Sequence, residues 1–362
     1  MRKICLVDFD MSVTGGVEQV TSELLNELCK NYEVYLYEIN SNGVPAYDLD
    51  PRVKYIRGVQ GQVRLRGMIT GTFRRFIHLV KNRNIDTVML MGNYPALIVS
   101  FTRFFTKAKY IYCDHGGLMN QWHQKDITAI RFWSACVAHK VVVLTEKTRR
   151  DYIEKFHLKE NKVECIYNWI SEEIGEAKKS YDCSSKKILT VGRLGKEKGY
   201  DLLVEVAKKI LPTHQDWQWH VYGSGEMRQM LEEKIEEYRL EDQLILKGNV
   251  DHAYRYYLDY AFLVLPSYRE GLPLVLLEAL ELGLPMVSFD IETGPNEIIE
   301  DGKNGYLIPP YDLGQMGQRM TELMEDASRR KAFSTYEGNK DKFSKNTILK
   351  QWIRLIEGLH EK

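Results

Sequence analysis

The residues able to do chemistry fall in a few short stretches. In REGLPLVLLEAL, Arg269 to Leu280, two carboxylates, Glu270 and Glu278, stand in a run that is otherwise almost entirely apolar. Upstream, GRLGKEKG sets Arg193 five residues before Lys198. Two cations beside glycines at a strand end are what a diphosphate needs when no metal ion is held; ordinary loop solvation is the alternative reading. Three glycine-containing turns follow strand-like segments: TGGVEQ with Gly15 and Gly16, VGRLGKEKG around Gly192, and YGSGE with Gly223. Glycine there lets main-chain NH groups approach a ligand, and the start of the helix behind it favours an anion. A tight strand-to-helix connection needs the same glycines. YGSGE lacks the third glycine of a dinucleotide fingerprint and no P-loop signature occurs, so nicotinamide and ATP are not indicated. His115, in DHGG, follows a strand, and from its position alone a structural and a catalytic role both stay open.

Glu278 calls for a partner. Pro273 suits the first turn of a helix and Gly283 its end, which places a helix over 273–282. Leu274, Val275, Leu276, Leu277, Ala279, Leu280 and Leu282 leave it almost no polar face, and a helix apolar all round is a buried one. An ionised carboxylate there costs several kcal/mol unless it is hydrogen-bonded. The partner is therefore a structural cation or a pair of ligand hydroxyls. Glu270 lies in the preceding loop, where NH groups of Gly271, Leu272 and Leu274 would gather. Acceptors beside donors suit a sugar ring; a solvated loop acid and an internal salt bridge are the plain alternative.

Positioning such groups takes a sizeable scaffold. The chain has 362 residues, 44% hydrophobic and 28% charged, enough for two domains of ordinary size and with no apolar run long enough to span a bilayer. The opening MRKICLVDFD reads as a first strand, since no cleavage site follows its short apolar run. Six scattered cysteines without a CxxC pair fit a reducing cytosol. Strand-like and helix-like segments alternate, which predicts parallel sheets covered by helices, hence two facing Rossmann-like α/β domains with an interdomain cleft. The first half offers KICLVDF, EVYLYEI, DTVMLMG, KYIYCDH, KVVVLT and KVECIY as strands, a helix from Val17 to Lys30, and Thr145 as a helix N-cap. A polar stretch after Ile170 reads as the connection. KILTVG, QWHVYG, QLILKG, AFLVLP and PMVSFD then form a second strand series, with helices starting near Tyr200, Glu226, His252 and Pro273. The expected domains are 1–169 and 170–345, and an amphipathic helix over about 346–362 could pack back on the first.

With these stretches in view, the chain resembles the family 4 retaining glycosyltransferases of the two-lobed B-type fold, the kind that builds bacterial envelope and capsular glycans. The carriers, in order, are GGVEQV, DHGG, VGRLGKEKG, YGSGE, SYREGLPLVLLEAL and GPNEIIEDGKNGYLIPP. The resemblance implies that Glu278 binds the nucleotide ribose and Glu270 the donor sugar. It also implies that the amides of Leu274 and Val275 face the diphosphate, with Arg193 and Lys198 as its cations, and that Gly16 closes over it. His115 would contact the donor sugar near the anomeric carbon, and Asn120, Trp122 and His123 could line the acceptor side. The first domain would bind the acceptor and the second the nucleotide sugar. The implied reaction is metal-independent transfer of a hexose or N-acetylhexosamine, with UDP as the expected carrier, to a hydroxyl of a glycan or lipid-linked acceptor. No cofactor and no metal are called for: DFD, Asp8 to Asp10, formally matches a metal-binding DxD pattern, but it ends the first strand. A nucleotide-sugar epimerase or sugar phosphorylase on the same fold, and a non-catalytic nucleotide-sugar-binding scaffold, are the rival readings.

The charge is uneven. Up to Trp169 there are 24 Lys and Arg against 17 Asp and Glu, and the remainder carries 26 against 33. Between Arg52 and Cys113 twelve basic residues meet one acid, Asp86. From Met68 to Arg83, Met68, Ile69, Phe73, Phe76, Ile77 and Val80 could form an apolar face flanked by Arg66, Arg74, Arg75, Lys81 and Arg83. Such a helix can lie on an anionic bilayer; a core-packed helix with a solvated outer face is the alternative. No nucleic-acid-binding module accompanies the charge. The expectation is a cytosolic enzyme in transient contact with the inner face of a membrane.

Overall fold

The structure, a computed structural model, describes residues 1–60 and 65–361. It divides into two compact units, one of residues 1–168 with 349–362 and the other of 169–348.

The first unit is built on a seven-stranded sheet: β1 Lys3–Asp8, β2 Glu33–Asn40, β3 Lys54–Val59, β4 Thr87–Met91, β5 Lys109–Asp114, β6 Lys140–Val143 and β7 Val163–Cys165, in the order β3-β2-β1-β4-β5-β6-β7. The second carries a six-stranded sheet: β8 Lys187–Val191, β9 Gln218–Tyr222, β10 Leu244–Gly248, β11 Phe262–Leu265, β12 Met286–Phe289 and β13 Gly305–Ile308, in the order β10-β9-β8-β11-β12-β13. Each neighbouring pair is parallel. Parallel strands are covered on both faces, so central ones read as unbroken apolar runs; Ile4, Cys5, Leu6 and Val7 are fully buried. In each sheet the strand order reverses once, between β1 and β4 and between β8 and β11. Loops leaving a reversal point diverge and open a crevice at the carboxyl edge, where ligands bind in folds of this kind.

Two strands escape the sequence pattern. β3 is an edge strand with charged and half-exposed positions, and β13 is only four residues long, inside the motif GPNEIIEDGKNGYLIPP. The helix expected from His252 is a 3-10 helix, Ala253–Asp259. The polar connection contains a short helix, Glu172–Glu176, anchored by buried Ile174. Thr145 caps the helix Glu146–Phe156, its Oγ1 accepting from the Thr148 amide at 3.1 Å.

The basic helix, Leu65–Arg83, departs from one of its two readings. Phe76 and Val80 are buried in the first unit's core, and Ile69 and Leu79 pack against it. Its inner face therefore belongs to the core and is not free to enter a bilayer. Arg64 lies outside the described residues, as do the side chains of Arg66 and Met68. Among the described residues, no helix is long and apolar enough to cross a membrane.

Gly199 holds the loop after β8 against the loop after β11. Its φ is +68°, and a Cβ there would lie 2.0 Å from the Pro266 carbonyl oxygen. Gly199→Ala is expected to destabilise the protein by more than about 2 kcal/mol, because both backbone strain and a main-chain clash oppose it; thermal melting of the purified variant checks this.

Candidate active site

The carboxyl edge of the second sheet collects most of the sequence-nominated residues. Arg193 and Lys198 lie in the loop after β8, and Glu270 lies in the loop after β11. Lys198 Nζ stands 2.8 and 3.0 Å from the two carboxylate oxygens of Glu270, and Ser267 Oγ donates to Glu270 Oε1 at 2.7 Å. The loop after β12 adds Thr293, whose hydroxyl donates to the Glu270 carbonyl at 2.6 Å. Three loops thus fix one carboxylate and its cation. Arg193 does not join that pair: it is largely exposed, and its Nη2 donates to Glu197 Oε1 at 2.5 Å. The two cations expected to converge are each held by a different carboxylate.

Glu278 departs from its expected setting. The helix runs from Leu274 to Leu282 with Pro273 as N-cap and Gly283 as C-cap. It is buried on one side only; Leu274, Val275, Glu278 and Glu281 form a half-exposed stripe, the spacing of one helix face. One partner of its carboxylate is the Tyr257 hydroxyl, which donates to Glu278 Oε2 at 2.6 Å. Tyr257 is fully buried in the 3-10 helix after β10, and burial together with the Glu278 charge pushes its pKa well up, so it remains a donor. At the helix start no side-chain cap is present, which leaves the first amides, at Leu274 and Val275, directed outward as at any helix N-terminus. Gly271 is half-buried and Leu272 buried in the turn that leads in.

Gly223 sits where the loops after β8 and β9 touch. With φ +142°, a Cβ on it would come within 1.9 Å of the Gly192 carbonyl oxygen. This close packing is a sufficient reason for glycine, so the position does not by itself indicate a ligand.

In the first unit, Gly15 and Gly16 leave the carboxyl end of β1, and His115 leaves that of β5, one strand beyond β4. Gly15 is the N-cap of the helix Gly16–Leu28, and Glu18 folds back so closely that a Cβ on Gly15 would meet its Oε2 at 2.4 Å. Burial raises Glu18 to about 7 and Asp8 to about 6, and Thr21 donates to Asp8 Oδ2 at 2.8 Å. Asp10 accepts from the Ser12 amide and hydroxyl and from Asn42. The DFD carboxylates are thus engaged with their own loop and helix. Among the described residues no group of three or more His, Cys, Asp or Glu is arranged to hold a metal ion.

His115 belongs to a turn that sequence reasoning did not see being clamped. Arg131, from the helix Lys125–Val137, is buried and pairs with buried Asp114 at 3.0 Å. Its Nη1 also reaches the carbonyls of Gly117 and Leu118, and its Nη2 the Gln121 Oε1 at 3.1 Å. Tyr152 donates to Asp114 Oδ2 at 2.6 Å. Gly116 must be small, since a Cβ would meet the guanidinium at 2.6 Å. Nothing in the spacing of Arg131 and Tyr152 announces this; they look like ordinary helix surface. Held in this turn, the His115 Nε2 is sealed from solvent without a partner among the described residues, and burial lowers the imidazole to about 4. Trp122, named with Asn120 and His123 for the acceptor side, leans on Phe156 with ring centroids 5.9 Å apart.

Two family models match the chain: Glycosyltransferase Family 4 over residues 14–174 and Glycosyl transferases group 1 over 172–340. The chain is 29% identical to the amylovoran biosynthesis glycosyltransferase AmsD of Erwinia amylovora, over 98% of this chain and 100% of that one. It is 24% identical to the N-acetylgalactosamine-N,N'-diacetylbacillosaminyl-diphospho-undecaprenol 4-alpha-N-acetylgalactosaminyltransferase of Campylobacter jejuni, over 99% and 100%. Among solved structures, HepE of Anabaena in complex with UDP and glucose superposes with a TM-score of 0.82 at 15% identity, covering 99% and 100% of the two chains. That likeness concerns the two-domain B-type fold.

Two outcomes follow from the first unit's geometry. Arg131→Ala leaves Asp114 buried without its cation and should cost about 3–5 kcal/mol, read by denaturant unfolding, with Arg131→Lys recovering part of the loss. The depressed His115 pKa subtracts stability as pH falls from about 6.5 towards about 4, because the unfolded chain takes up the proton first. The raised Asp8 and Glu18 act in the opposite sense over a similar range, so the global curve hides the effect. A site-resolved NMR titration should show the His115 ring neutral at pH 5 and protonating only near 4.

Proposed function

Because the chain belongs to the family 4 glycosyltransferases, with the two-domain B-type fold, we propose that it transfers a hexose or N-acetylhexosamine from a nucleoside diphosphate to an acceptor hydroxyl during envelope polysaccharide synthesis. The observation that carries this reading is the constellation at the carboxyl edge of β8 and β11: Lys198 paired with Glu270, beside a helix start and the half-exposed Glu278. A nucleotide sugar needs a cation and amides for its diphosphate, and carboxylates for the hydroxyls of its ribose and its sugar. All come from the loops and the helix that follow β8 and β11. UDP is the proposed carrier, supported by the UDP and glucose named with HepE. A glycan or lipid-linked acceptor is supported by the amylovoran and undecaprenol named for two relatives. A lipid-linked acceptor brings transient contact with an anionic membrane surface into the same reading.

In the proposed reaction the incoming diphosphate draws Lys198 from Glu270, and the freed carboxylate takes hydroxyls of the donor sugar. Arg193 is the second cation, turning from Glu197 to the phosphate. The bond from the anomeric carbon to the phosphate oxygen breaks and one to the acceptor oxygen forms on the same face. The acceptor proton passes to the departing phosphate, whose charge Lys198, Arg193 and the helix amides absorb. Configuration is retained, and no carboxylate nucleophile is required. Glu278 binds the ribose in this scheme. His115 and the glycine turn at Gly15 and Gly16 are the first unit's proposed donor contacts, and the buried His115 Nε2 must be uncovered before it can meet a sugar hydroxyl. Neither a cofactor nor a divalent ion takes part.

Purified enzyme, donor and acceptor in the presence of a chelator should give product with the donor's anomeric configuration. Lys198→Ala should lower turnover by about a hundredfold or more, the scale of losing one charge stabiliser. Glu278→Ala should chiefly raise the KM for donor. Near-normal kinetics in either variant, with unchanged circular dichroism and melting, would remove that residue from the scheme.

A further inference from the structure

The first unit exposes an aromatic surface that its core does not use. Ser100–Phe105 form a 3-10 turn before β5. Ser100 and Thr102 point inward, Thr102 donating to the Val99 carbonyl, and both are fully buried. Phe101, Phe104 and Phe105 point outward and are 46%, 62% and 54% exposed. The usual pattern, apolar in and polar out, is inverted. Phe101 stacks on Trp133 with centroids 4.6 Å apart, and Phe105 meets Phe73 edge-on at 5.5 Å. Phe132, next to Trp133 in the chain, is 47% exposed and meets Phe156 edge-on at 5.2 Å. These contacts join the turn to the helices Leu65–Arg83 and Lys125–Val137 as one continuous face. A cluster of exposed large rings marks an interaction site more often than chance.

The charges around it select the occupant. Arg74, Arg75 and Lys107, close in the chain to Phe73 and Phe105, are exposed, and the Arg103 guanidinium lies over Phe104 at 5.8 Å. The one acid between Arg52 and Cys113, Asp86, accepts from the Lys3 amide at the start of β1. Exposed aromatic rings in a stretch of chain with many cations and one acid match the boundary of an anionic bilayer, where rings seat among headgroups and cations meet lipid phosphates. A second copy would bring the same positive charge to the same face and be repelled.

We propose that this face, and not the inner side of the helix Leu65–Arg83, seats the protein on an anionic membrane. The proposal deepens the membrane contact in the preceding reading, and its experiment uses only protein and lipid, so its failure leaves the transfer reading standing. Vesicles of phosphatidylcholine, with and without phosphatidylglycerol, are sedimented with the full chain at low ionic strength. Binding should require phosphatidylglycerol and be released by salt. The double variant Phe104→Ser with Phe105→Ser should bind about tenfold more weakly or worse, given the apolar area each ring buries. Lys107→Glu, a change at an exposed side chain, should weaken binding without touching the rings. Melting and slow donor hydrolysis without acceptor should stay as in the parent for both. Absence of binding, or equal binding by parent and both variants, would overturn the proposal. So would a dimer that the phenylalanine variant dissolves, or tight binding to a single-stranded oligonucleotide in place of vesicles.

Discussion

The chemistry proposed for the second unit depends on one ion pair held at the edge of a sheet. Lys198 and Glu270 come from loops that leave adjacent strands at the point where the strand order reverses, and that reversal leaves the loops room to diverge. The pair is only partly shielded, with side chains 26% and 8% exposed, and an ion pair in such a place contributes little to stability. Its worth is geometric. Ser267 and Thr293 hold the carboxylate and its backbone from two further directions, so a cation and an anion are kept extended and ready at no cost in ordering. In the proposed reaction either exchanges its partner for part of a substrate.

The first unit handles its polar groups differently. Its carboxylates at the end of β1 are drawn inward, and burial raises Asp8 to about 6 and Glu18 to about 7, disfavouring their anions without abolishing them at neutral pH. His115 is neutral for the converse reason, since burial disfavours its cation. The edge of this sheet therefore carries a neutral imidazole and carboxylates that titrate near neutral pH, whereas the edge of the other carries a fixed ion pair. The excess positive charge of the first unit lies elsewhere, in the stretch of chain that carries the exposed phenylalanines.

The strands that the sequence declared were those buried on both faces, because continuous apolar runs have no other use. β3 was illegible for the opposite reason: at an edge, half solvated, Lys54 and Arg57 are as suitable as valine. Thr145 was legible because a cap is a local interaction between residues three apart. Glu278 shows the limit of the method. Its helix is apolar in composition, yet one stripe stays half open, and the group that meets its carboxylate, Tyr257, sits in an aromatic run whose spacing gives no period. The need for a partner could be argued from the cost of burial; which partner is a long-range fact. The same holds for Arg131, and for Phe101, Phe104 and Phe105, where composition suggests a core and only the inward hydrogen bond of Thr102 turns the rings outward.

The way the chain re-enters its first unit has a consequence for how that unit is made. Glu357 accepts from Arg2 and from Tyr32, each near the amino end, and His360 meets Thr87, while Trp352, Leu355 and Ile356 are buried. The segment 349–362 is counted in the first unit although all of 169–348 precedes it in the chain. On the ribosome, then, the earlier-synthesised half must wait, with one side unsealed, while the later half is produced and can already fold. Completion runs in the reverse of synthetic order.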